Sequence, residues 1–103
     1  MQKSRKNIAD GIYHLESQKG WMRVKDGRYF LLKGSVCCSI PGEGNIRVID
    51  AMRNCAKIVD NVLQEDIPMR TPSAASSFLL YRESDGWDEW RTATGEPISI
   101  FRE

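Results

Sequence analysis

Apolar and polar residues alternate near the start of the chain and change period further along. Ile12-Tyr13-His14-Leu15-Glu16 and Trp21-Met22-Arg23-Val24-Lys25 each alternate as half-buried strands do. Gln18-Lys19-Gly20 turns between them, and Asp26-Gly27 after them is a hairpin signal, because a type I′ turn needs positive φ at both central residues. Arg28 to Lys33 is the third strand, and Ser35 to Ile40 reads as a fourth extended piece beyond Gly34. After the loop Pro41–Gly44, Asn45 is placed to cap a helix over Ile46–Asp60. There Ile49, Met52, Ala56 and Val59 recur at i, i+3, i+7 and i+10, and Asn61 closes the helix in the left-handed region. Gln64–Arg70 is a polar connector with edge-strand character around Pro68.

The last third carries the strongest local signals. Thr71 can cap with its hydroxyl and Pro72 suits the first helical position, so a second helix is predicted over Pro72–Arg82. Ser84-Asp85-Gly86 reads as a stop and turn, followed by Trp87 and Trp90, a short strand, a Thr94-Gly95 turn and Ile98–Phe101 as the closing strand. The expected fold is α+β: a small antiparallel sheet of hairpins packed against two helices, in a single domain over residues 10–103 behind a flexible basic lead-in at 1–9. The expected core is Ile12, Leu15, Val24, Phe30, Leu32, Ile49, Met52, Val59, Leu79, Trp87, Ile98 and Ile100.

The pattern Pro72-Ser73-Ala74-Ala75, then Gly86-Trp87, then Trp90-Arg91, then a glycine hairpin resembles an uncharacterised bacterial domain. That domain occurs at the C-terminus of GIY-YIG nuclease proteins and in restriction-associated proteins. Its run is S-P-S-A-A, N-G-W-x-x-W-K and a D-G-x-x-L hairpin. Asp26-Gly27 and Leu32-Lys33-Gly34-Ser35 extend the likeness toward the N-terminus. The helix and tryptophan pattern is also similar to the RAMA (restriction enzyme and adenine methylase associated) domain. The resemblance implies a non-catalytic module that binds DNA or senses its modification, with DNA and a nuclease or restriction-system protein as partners. The chain departs from the pattern at Asp85, where the family has Asn, and at Tyr81, where it has Gly.

Composition is that of an ordinary globular chain, with 41% hydrophobic and 28% charged residues. No apolar run approaches the roughly 20 residues of a membrane span. The first residues are basic with no apolar segment after them, which leads us to expect a cytoplasmic protein. Cys37, Cys38 and Cys55 are expected as reduced thiols, since their number is odd and there is no C-x-x-C pair to suggest zinc. We expect no metal or other cofactor. Neither a nucleophile–base set nor a phosphate-binding glycine loop is present, so no enzymatic activity is expected either. Gly11-Ile12-Tyr13 spells the start of a nuclease motif, but its companion residues are absent.

Charge is divided unevenly. Net charge is +1, yet residues 1–33 carry +5 and residues 34–103 carry −4. A basic first half can meet a polyanion, or can simply be the solvated surface of a hairpin. Candidate nucleic-acid contacts are Lys19, Arg23, Lys25, Arg28 and Lys33 on the hairpins. Thr71 and Ser73 at the second helix start could meet phosphate, and Arg82, Trp87, Trp90 and Arg91 form the cationic and aromatic set of the tryptophan turn. The tryptophans have a second reading as core residues, and Glu83, Asp85, Asp88 and Glu89 make that turn acidic.

Overall fold

The computed structural model describes residues 8–101, so residues 1–7 of the expected lead-in lie outside the described residues. Ile8 is buried in the core and the Ala9 carbonyl accepts from the Tyr13 hydroxyl at 2.6 Å, so the fold begins before residue 10.

Three strands, β1 (Gly11–Leu15), β2 (Trp21–Lys25) and β3 (Arg28–Leu31), form an antiparallel meander. The Asp26-Gly27 turn has φ of 52° and 76°, as the sequence predicts. Strand β6 (Ile67–Met69) adds to β3 on one edge, and the two-residue β7 (Trp90–Arg91) adds to β1 on the other. The spatial order of the five-stranded sheet is therefore β6-β3-β2-β1-β7. Pro68 is tolerated because β6 is an edge, where a missing donor faces solvent.

Helix α2 (Pro72–Leu80) covers one face of the sheet. Tyr13, Leu15, Met22, Val24 and Leu31 point inward and form one cluster with Ala75, Phe78, Leu79, Trp90 and Ile98. Thr71 caps α2 by accepting from the Ala74 amide at 2.9 Å, with Pro72 in the first turn. The helix ends two residues earlier than predicted, because Tyr81 takes the left-handed conformation at φ 59°. The resembling domain has Gly there, which adopts this region without strain. Here Tyr81 is held by its hydroxyl on the Asp50 carboxylate at 2.6 Å and by the Arg53 guanidinium 3.9 Å from its ring centroid.

Helix α1 spans only Ile46–Asn54, and Asn45 makes no side-chain cap. The predicted helix ran to Asp60, but Ile58–Val59 and Val62–Leu63 are instead a two-stranded hairpin, β4 and β5. Asp60 and Asn61 both have positive φ, 51° and 64°, so Asn61 serves a hairpin turn and not a helix end. Helical spacing continued by chance into a run of β-branched residues flanking a turn pair.

The segment 35–40 forms no continuous strand, although Val36 makes one isolated antiparallel bridge to Val62. Its amides donate to three separate places: Val36 to Lys19, Cys37 to Asn61, and Cys38 to Leu79. Cys37 is buried and Cys38 half-buried, with burial pushing the Cys37 thiol up from its usual pKa. At the C-terminus, Gly86–Glu89 forms a one-turn helix, α3, and Ile98–Phe101 forms a 3-10 turn in place of a strand. Arg91 and Pro97 still make an isolated bridge across the Gly95 turn.

Strand alternation corrects the expected core. Ile12, Val59 and Ile100 are about half exposed, while Phe30, Leu32 and Trp87 are only half-buried. Tyr13, Met22, Leu31, Leu63, Phe78 and Trp90 take the interior places.

Candidate nucleic-acid interface

The helices cover only one face of the sheet, and alternation decides what the other face presents. With Met22 and Val24 inward, Trp21, Arg23 and Lys25 of β2 point outward and are exposed. The hairpin register then sets Arg28 opposite Lys25 and Phe30 opposite Arg23. On the other side of β2, Ile12 stands opposite Arg23 and His14 opposite Trp21. One row across the sheet therefore reads Ile12, Arg23, Phe30, Pro68. The outward positions of the five strands hold Arg23, Lys25, Arg28 and Arg91 and no carboxylate. The acids nearby are at the rim: Asp26 in the turn lines one hollow with Lys25, Arg28 and Phe30, Asp10 accepts from the Asp26 amide at 3.0 Å, and Glu16 binds Arg91 at 2.7 Å.

The expected site residues separate into four groups. Arg23, Lys25 and Arg28 share the outer face. Lys19 and Lys33 are exposed at the other end of the hairpins from Lys25 and Arg28. Their backbones are tied in, Lys19 through its carbonyl to Val36 and Lys33 through its amide to Asp66. Arg91 lies on β7 beside His14, but its charge is met by Glu16 and its Nε is buried with no partner among the described residues.

The remaining residues build the corner between α2 and α3. Trp90 is wholly buried and its indole N–H donates to the Pro72 carbonyl at 2.9 Å, which removes it from any surface contact. Ser73 accepts from the Gly86 amide at 2.9 Å. A Cβ on Gly86 would lie 2.3 Å from the Pro72 carbonyl carbon and oxygen, so only glycine lets α3 sit against the start of α2. At the α2 N-terminus the Thr71 hydroxyl accepts from the Ala74 amide, and the exposed Thr71 lines, with Arg70, Ser73 and Ala74, a hollow against α1. Trp87 is half-buried against the core. Arg82 pairs with Glu89 at 3.4 Å. Asp85 accepts from the Trp87 amide at 3.0 Å, a capping role that suits an Asn side chain equally well. The tryptophan signature is therefore architectural.

Two residues that matter here escaped the sequence reading as contacts. From the sequence, Trp21 is a strand residue with no contact role and Phe30 a core residue. Strict alternation in β2, carried across the Asp26-Gly27 turn, is the signal that finds both. Arg53 lies on α1, and no local sequence signal marks its role. It donates to the Phe78 carbonyl at 2.7 and 2.9 Å and to the Cys38 carbonyl at 2.8 Å, which closes the C-terminal end of α2. A further groove runs between α1 and β6, with a volume of 510 Å³, lined by Val48, Met52, Ala56, Ile67, Met69 and Arg70 among others. Among the described residues, no three His, Cys, Asp or Glu side chains gather as a metal site, and no helix is long and apolar enough to cross a membrane.

Fold and surface together define a small α+β domain, one sheet face of which is packed by helices and the other, among the described residues, open, basic and aromatic. The chain belongs to the family described as Domain of unknown function (DUF4357), whose pattern matches residues 13–102. Comparison with curated proteins and with solved structures returned no match.

Proposed function

We propose that this domain is a non-catalytic DNA-binding or DNA-modification-sensing accessory module that works with nuclease or restriction systems. The observation that carries this reading is the open sheet face, where Arg23, Lys25 and Arg28 converge without a strand carboxylate between them. Three cations on a rigid scaffold suit a phosphate backbone, which supplies sequence-independent affinity. The resemblance to domains that accompany nucleases agrees with it. The experiment is a fluorescence anisotropy titration against single-stranded, double-stranded and adenine-methylated DNA at low and moderate salt. Binding that weakens with salt is expected. No binding to any of the three at low salt would sink the reading.

The groove between α1 and β6 favours a second reading, a protein-interaction module docking onto a nuclease or defence complex. Its exposed Val48 and half-buried Met52 and Ile67 offer apolar area to a partner surface. A Val48→Asp variant that loses a purified nuclease partner while keeping DNA affinity would select this reading for the groove.

A further inference from the structure

We propose that the outer face of the sheet binds single-stranded DNA, with bases stacked on Trp21 and Phe30 and phosphates held by Arg23, Lys25 and Arg28. This rests on the DNA-binding reading and specifies the form of the ligand. Two aromatic side chains stand on a surface where solvated strands ordinarily carry polar residues, and they sit beside the cations. Trp21 is 36% exposed on β2. Phe30, half-buried on β3, is opposite Arg23, two residues along β2 from Trp21. The two rings are therefore diagonal neighbours on one face, a separation of about 7–8 Å between positions. Ile12, 51% exposed and opposite Arg23, extends the apolar floor toward β1. Lys25 and Arg28 flank the rings at one end of the face, with Arg23 between them and Trp21.

Geometry decides between single and double strands. Five strands at about 4.8 Å spacing make a surface about 19 Å across, too wide for a major groove of about 12 Å, which admits a helix or a two-stranded ribbon. On a duplex this face would meet only backbone, leaving the rings without partners. On a single strand the bases are free to splay, each base offers a π-face to an aromatic ring, and the cations track the backbone. The charge pattern matches this occupant. The outward strand positions carry four cations and no acid, Arg91 being the one already neutralised by Glu16.

The test is an anisotropy titration of the whole chain with labelled oligo-dT of about 12 nucleotides, the length of an ordinary single-strand site, and with a duplex of equal length. The single strand is expected to bind at least about tenfold more tightly than the duplex, with Trp21→Ala losing about tenfold and Trp21→Phe much less. Three neutralised phosphates imply that a fourfold rise in salt weakens binding by roughly 15- to 20-fold. Tryptophan fluorescence should be quenched by oligo-dT in the wild type and largely unquenched in Trp21→Phe, since Trp90 is buried and Trp87 is on the helical side. Thermal melts of both variants guard against misfolding, and Lys25→Glu with Arg28→Glu tests the face without touching an aromatic ring. Duplex bound as tightly as single strand, or quenching that survives in Trp21→Phe, overturns the stacking assignment and leaves the DNA-binding reading standing. A dimer abolished by Trp21→Ala assigns the face to a second copy and overturns it too. No binding to either DNA removes both.

Discussion

The α2–α3 corner and the open sheet face use the same residue types for opposite ends. At the corner, Trp90 is wholly buried, its N–H is given to Pro72, and Gly86 presses on the Pro72 backbone. On the sheet face, Trp21 and Phe30 keep ring surface toward solvent beside Arg23, Lys25 and Arg28. An aromatic residue whose polar atom is satisfied inside the fold is explained by stability. An aromatic residue on a face that no described element covers, beside cations with no ion pair among the described residues, is not explained by packing, and that is where binding is argued. The corner carries the letters on which the sequence resemblance rests, and the face carries the proposed chemistry.

Substitutions can break this contrast, and the corner should suffer most. Trp90→Ala removes a fully enclosed ring and its N–H bond to the Pro72 carbonyl, so a loss of about 3–5 kcal/mol is expected in urea unfolding. That is a large part of the roughly 5–15 kcal/mol that holds a small domain together. Gly86→Ala forces a methyl into the Pro72 backbone and should cost about 1–3 kcal/mol, read from the same curves. Arg53→Met keeps length and apolar stem but abandons the Phe78 and Cys38 carbonyls, and about 1–3 kcal/mol is expected. Lys25→Ala and Arg28→Ala on the open face should stay within about 0.5 kcal/mol of wild-type stability while weakening DNA binding. If these two destabilise as the corner variants do, the division between the regions fails.

The smallest expected effect lies in pH. The hydrogen bond to Asp50, with desolvation behind it, raises the Tyr81 hydroxyl above its usual pKa. A raised folded-state value means that the bond's contribution is complete below the ordinary tyrosine range and is lost as pH rises through the folded-state value. Alkaline unfolding midpoints of the wild type and Tyr81→Phe should therefore converge, while they differ at neutral pH.

Much of the fold is legible in short-range pattern. Thr71 and Pro72 start α2 where their chemistry says, and Asp26-Gly27 closes the predicted hairpin. What failed were periodicities read too far. Ile46–Asp60 broke because Asp60-Asn61 favours a turn that helical spacing ignores, and Ser35–Ile40 broke because its amides serve three different elements. The basic hairpins were visible as candidates, and alternation within β2 already separated Trp21, Arg23 and Lys25 from Met22 and Val24.

By itself the sequence determined the local devices: the cap, the turns, the strand alternation and the uneven charge, because each depends on neighbours within a few positions. Only the tertiary structure decided which sheet face is covered, that Trp90 and Ser73 are consumed by the α2–α3 contact, and that Arg23, Lys25, Arg28, Trp21 and Phe30 share one open surface. Those outcomes depend on long-range packing of a helix onto one side of the sheet. Nothing in the letters around each residue records which side that is.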